Sequence, residues 1–166
     1  MAPRRVLWLV PLLLAVHNAE EAFFFPRYLP FALSRLPRGW QALAAPLTTG
    51  QVWVALAIVT VLGVLVAGWV DRQPANGAAR WLLLLIVATM LINALWHMAI
   101  AFVLFDGYAP GLVTALAFNL PFSIYLLQRA ALERWVSRRA FWALAPGALV
   151  LHGPLLAALV LATERL

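Results

Sequence analysis

Cysteine is missing from the 166 residues, and so is lysine. Without cysteine there are no disulfides and no thiolate metal sites. Without lysine there is no Schiff-base chemistry, and all 12 basic residues are arginine. Charge as a whole is scarce, at 11% of residues, where a soluble domain carries about 25%. Hydrophobic residues make up 65% of the chain. A soluble fold of this length could not hide so much apolar surface, so the expected solvent is lipid. The net charge of +6 does not point to nucleic acid, because the arginines fall between hydrophobic runs. That is the pattern of loops that meet lipid headgroups.

Five apolar stretches, roughly 6–25, 51–70, 81–105, 109–128 and 141–162, each approach the ~20 residues a helix needs to cross a bilayer. The expected fold is all-α: one domain, 1–166, a polytopic membrane bundle of about five transmembrane helices. Met1 to Val16 resembles a signal peptide, but apolar character resumes at Phe23, so the segment reads as a retained first helix. Eight arginines (Arg4, Arg5, Arg72, Arg80, Arg129, Arg134, Arg138 and Arg139) lie on one side and four (Arg27, Arg35, Arg38 and Arg165) on the other. The bias predicts a membrane protein with its N-terminus in the cytoplasm. In the loop 27–50, Phe31, Leu36, Trp40 and Leu43 are spaced for an interfacial helix. "DGYAPG" (106–111) reads as a tight turn, with Pro110 placed to open the next helix. Gly63, Ala67 and Gly68 in the second stretch read as helix packing.

The three histidines, His17, His97 and His152, fall in the first, third and fifth stretches. Counted from the outer end of each stretch they lie about eight to ten residues in, within about a turn of one another. Glu20 and Glu21 follow His17 by three and four positions and share its face. Asn93 precedes His97 by four. Asn119 falls at a matching depth, where interhelical hydrogen bonding is its simplest role. Pro121 and Pro154 are placed to disturb the backbone one turn earlier. A carboxylate-type residue at a helix centre costs roughly 2.5–3.5 kcal/mol on insertion scales. Two of them need partners, and a bound cation attracts carboxylate and neutral imidazole together.

The string His17-Asn18-Ala19-Glu20-Glu21, followed by "NALWHMAIAFVLFDGYAPGLVTA", resembles the HXXEE-domain family of small prokaryotic integral membrane proteins. The resemblance covers most of the chain and implies a site at His17, Glu20, Glu21 and His97 without naming a reaction.

The residues themselves suggest a divalent-metal site, with zinc the expected ion. Its ligands would be His17, His97, His152 and one glutamate, written here as Glu20. The other glutamate would serve as general base, the choice between Glu20 and Glu21 being open, and Asn93 would orient a ligand or an oxyanion. The expected function is a membrane hydrolase or group transferase acting on a lipid or other membrane-soluble substrate. Its partners would be membrane lipids, with a homo-oligomer also compatible. Alternatives are a proton or cation transporter, a bis-histidine haem protein, and a structural protein. Di-iron chemistry typically needs four carboxylates. A serine mechanism has only Ser123, placed deeper than the histidines.

Overall fold

The computed structural model describes residues 4–35, 37–39, 48–105 and 107–163. The described residues form an antiparallel bundle of five helices. Helix α1 is Arg4–Arg35, α2 is Thr49–Arg72 and α3 is Gly77–Val103. Helix α4 is the continuous run of Leu112–Thr114, a wide π turn at Ala115–Asn119, and Leu120–Leu132. Helix α5 is the run Arg138–Ala162, with a π turn at Leu151–Leu155. All except α4 are long and apolar enough to cross a membrane. Helix α4 carries Asn119 and Ser123, both wholly buried, so its polar groups face the bundle. The outer surface is apolar: Val61, Leu62 and Leu65 on α2 are exposed, as suits a wall against acyl chains.

Local chemistry sets the helix starts. Thr48 and Gln51 form a reciprocal capping box on α2, with Gln51 N–H donating to Thr48 Oγ1 and Thr48 N–H to Gln51 Oε1. Asn76 Oδ1 caps α3 by accepting from Ala78 and Ala79 N–H, and Ser137 Oγ caps α5 through Ala140 N–H. The two π turns lie where Pro121 and Pro154 were expected to disturb the backbone. Each proline removes a donor, and the turn widens to keep the remaining carbonyls paired.

Helix α1 differs from expectation. It does not end near Phe25 but runs 32 residues through Pro11, Pro26 and Pro30 to Arg35. At 1.5 Å per residue it is about 48 Å long, more than a bilayer core requires. Aromatic contacts explain the extension: Phe24 lies edge-on to Tyr108, Tyr28 lies tilted against it, and Tyr28 and Phe31 lie against Phe105. Packing against the turn after α3 compensates for the donors the prolines lack. Of the residues assigned to an interfacial helix, Phe31 belongs to α1, while Leu36, Trp40 and Leu43 lie outside the described residues.

The apolar core occupies one end of the bundle. Leu7, Val10, Val70, Ala79, Leu83, Leu84, Val87, Leu126, Ala130 and Ala148 are each at most 1% exposed. Helices α1 and α2 approach closely there. A Cβ on Gly63 would stand 3.1 Å from Leu14 Cδ2, so the residue must stay small. The other end is polar.

Candidate metal centre

Helix α1 distributes four consecutive-turn residues among three neighbours. Asn18 points to α2, where its Nδ2 donates to Leu56 O at 3.2 Å and to Thr60 Oγ1 at 2.8 Å. His17 points to α3 and α4. Glu20 points to the N-terminus of α4, and Glu21, one turn above His17, points back toward it.

Glu20 acts as a cap supplied by another helix. Gly111, at the N-cap of α4, has no side chain to offer. Instead, Val113 N–H donates to Glu20 Oε1 at 3.2 Å and Thr114 N–H to Oε2 at 2.8 Å, with Tyr108 O–H adding 2.9 Å to Oε1. Backbone donors at a helix start attract an anion, and here they receive one. Burial and the bond to Glu20 raise the Tyr108 phenol above its ordinary range.

The cap fixes what lies beneath it. Gly111 has φ +84°, which favours glycine. A Cβ there would stand 2.8 Å from His17 Cε1 and 3.0 Å from His97 Cε1. The two imidazoles therefore lie directly against this glycine, edge to face, with ring centroids 5.0 Å apart. Thr114 Oγ1 lies 3.0 Å from His17 Nδ1 and donates its own proton to Gly111 O at 3.3 Å. A Thr114 hydroxyl that donates to Gly111 O leaves His17 Nδ1 to carry the N–H and Nε2 as the bare nitrogen.

That bare Nε2 faces Glu21 Oε2 at 3.8 Å. Among the described residues it has no hydrogen-bond partner, and neither ring nitrogen of His97 has one. His17 is 1% exposed and His97 3%. One donor atom each from His17, Glu21 and His97 lies within 4.8 Å of the others. Donors on a single tetrahedral zinc stand about 3.3 Å apart, so modest side-chain rotation would close the group on an ion. A cavity of about 60 Å³ adjoins Glu21 and His97, walled by Phe25, Tyr28, Leu29, Ile100 and Phe105. It has room for at least one water.

The other sequence candidates fall elsewhere. Glu20, written as a ligand, is taken up by the start of α4, and Glu21 stands with the histidines. The reason is helical phase: three residues from His17 reaches α4, and four returns to the His17 face. His152, also written as a ligand, lies outside the group and pairs with Asn93, Nδ2 to Nε2 at 3.2 Å, with Trp96 edge-on. The extra residue in the π turn at Leu151–Leu155 changes the direction His152 takes from α5. Asn93 Oδ1 closes no hydrogen bond among the described residues. Sequence reasoning passed over Thr114, Gly111 and Asn18. A glycine after proline ahead of a polar helix start was the only local signal for the first two.

Residues 8–126 match the family described as a protein of unknown function with HXXEE motif. The chain belongs to this family. It is also 28% identical, over 123 residues, to the uncharacterized protein YrkK of Bacillus subtilis (strain 168), covering 74% of this chain and 73% of that one. No solved structure matches. The matched region contains His17, Glu20, Glu21, His97, Gly111 and Thr114, and ends before His152.

Proposed function

We propose that the chain is a metal-dependent membrane enzyme, a hydrolase or group transferase acting on a lipid or other membrane-soluble substrate. His17, Glu21 and His97 hold a divalent ion, with zinc best suited to nitrogen and carboxylate donors in a small closed group. One observation carries this reading. Nε2 of the buried His17, without a hydrogen-bond partner among the described residues, faces a carboxylate oxygen of the part-buried Glu21 at 3.8 Å. Two lone-pair donors turned toward one another need a cation or a proton between them.

A divalent ion at this position supplies Lewis-acid polarisation of a substrate carbonyl or phosphoryl group. The chain's residues supply the rest. Thr114 fixes the His17 tautomer. Glu20 holds Gly111 and Thr114 in place by capping α4. Glu21 turns one oxygen toward His17, and its second oxygen accepts a proton from water in the adjoining cavity. Phe25, Tyr28, Leu29 and Phe105 exclude bulk water and favour an apolar substrate chain. The enzyme lies in the cell membrane with its N-terminus in the cytoplasm, an orientation the arginine bias supports.

The test is metal analysis of the detergent-purified protein. Wild type is expected to carry a stoichiometric divalent metal, which His17→Ala, His97→Ala and Glu21→Gln lose and Glu20→Gln keeps. Folded wild type that stays metal-free after incubation with zinc refutes the reading.

A second reading is a proton or cation conduit. It is favoured by the buried polar atoms that continue past the histidines: Asn93 Oδ1, both amide atoms of Asn119, and Ser123 Oγ. Metal-free protein that carries protons across liposome membranes supports it. Haem is disfavoured, because two rings in edge-to-face contact leave no slot for a macrocycle.

A further inference from the structure

The opposite end of the bundle holds a second, larger cavity of about 800 Å³. Its wall is formed by the start of α3 at Gly77, the turn after α4 at Arg134 to Ser137, and the start of α5 at Arg138, Phe141 and Trp142. The turn is braced from several sides. Trp135 Nε1 donates to Glu133 Oε2 at 2.8 Å, Trp81 Nε1 to Ala140 O at 2.9 Å, and Arg80 reaches Trp135 O at 3.5 Å.

Arg134 occupies a position that suits glycine. Helix α4 ends in a Schellman motif, with Trp135 N–H bonded to Ala130 O at 3.0 Å and Arg134 N–H to Ala131 O at 3.3 Å. Arg134 is its left-handed residue, at φ +52°, and is the only described residue other than glycine with positive φ. A bulky side chain there is strained, and such strain marks a position where the side chain itself has a use. Arg134 lines the cavity together with Arg138.

The local charge is unbalanced. Glu133, the carboxylate beside the cavity, is held by Trp135 Nε1 and, at 2.6 Å, by Arg129 Nε. Those bonds hold it down at about 2. Arg139 adds a further positive charge next to Arg138. The lining is apolar as well as charged: Phe141 and Trp142 form part of it, and Trp142 is 67% exposed. An exposed tryptophan beside arginines at the end of a membrane helix is the pattern of headgroup depth.

We propose that this cavity is a binding site for an anionic phospholipid, its phosphate held between Arg134 and Arg138 and its glycerol and upper chains laid against Trp142 and Phe141. The apolar lining selects a lipid over a soluble anion, since a free phosphate has nothing to place there. Guanidinium pairs suit phosphate because each presents a planar fork of donors. The site is remote from the histidines and does not depend on the metal reading.

Native mass spectrometry of the full chain, released from nanodiscs of mixed phosphatidylglycerol and phosphatidylcholine, tests the proposal. Wild type is expected to retain phosphatidylglycerol in preference to phosphatidylcholine. Arg134→Gly, which keeps the left-handed turn and so keeps the fold, should lower that retention at least tenfold, as should Arg138→Gln. Equal retention of both lipids by wild type overturns the proposal, as does unchanged retention by a folded Arg134→Gly variant. Displacement of the bound lipid by inorganic phosphate alone reassigns the cavity to a soluble anion and overturns it too.

Discussion

The two ends of this bundle are built on opposite principles. At the arginine-rich end, Leu7, Val10, Val70, Leu83, Leu84 and Val87 interlock with almost no exposed surface, and no single contact decides the structure. At the other end, His17, His97 and Asn119 are nearly as deeply buried, yet several of their polar atoms have no hydrogen-bond partner among the described residues. Order there depends on a few directed contacts: Glu20 on the start of α4, Gly111 against two imidazoles, Thr114 on His17. Packing spread over many side chains tolerates local change. A site held by three or four contacts does not, and unpaired buried polar atoms are the usual mark of a place meant for something else.

The comparison can be broken most forcefully at Leu83. Leu83→Ala opens a cavity in the interlocked end and should cost about 2–5 kcal/mol on the scale of buried leucines. Reversible unfolding in mixed micelles checks the cost. Metal content of the protein that stays folded should not change, because the two ends are separate. Gly111→Ala attacks the polar end. The left-handed conformation costs a non-glycine residue about 1–2 kcal/mol, and the new Cβ meets both imidazoles. Zinc titration should find binding lost while the helical circular dichroism is kept, the reverse of the leucine result.

Smaller changes sharpen the picture. Tyr108→Phe removes one of three donors to Glu20 and should cost about 0.5–1.5 kcal/mol, weakening zinc binding only a few-fold. Glu21→Gln should abolish it, so the two variants separate the capping glutamate's support from direct ligation. Asn18→Ala, which cuts the tie to Thr60, should show the smallest effect, about 0.6 kcal/mol as for other hydrogen bonds between membrane helices, with zinc affinity unchanged. A large loss of zinc in Asn18→Ala would mean that the α1–α2 contact positions His17, and the division between the ends would then need redrawing.

Much of this was legible in the chain itself. Hydropathy gave the five helices because each backbone group in lipid must be paired within its own segment. The ends were less accessible: α1 continues through Pro26 and Pro30 because Phe105 and Tyr108, some 75 residues away, hold it. The histidines' shared depth was visible from counting, and it correctly brought His17 beside His97. Counting could not give direction around each helix, and the π turn at Leu151–Leu155 sends His152 to Asn93.

Composition and periodicity, then, determined that this is a bundle of membrane helices with ionisable groups inside it, because burial in lipid penalises every exception strongly enough to be read locally. Only the tertiary structure decided which glutamate faces the histidines and which caps a helix. That choice rests on about 100° of rotation between adjacent residues and on where the start of α4 happens to lie, and neither is written in any one segment of the chain.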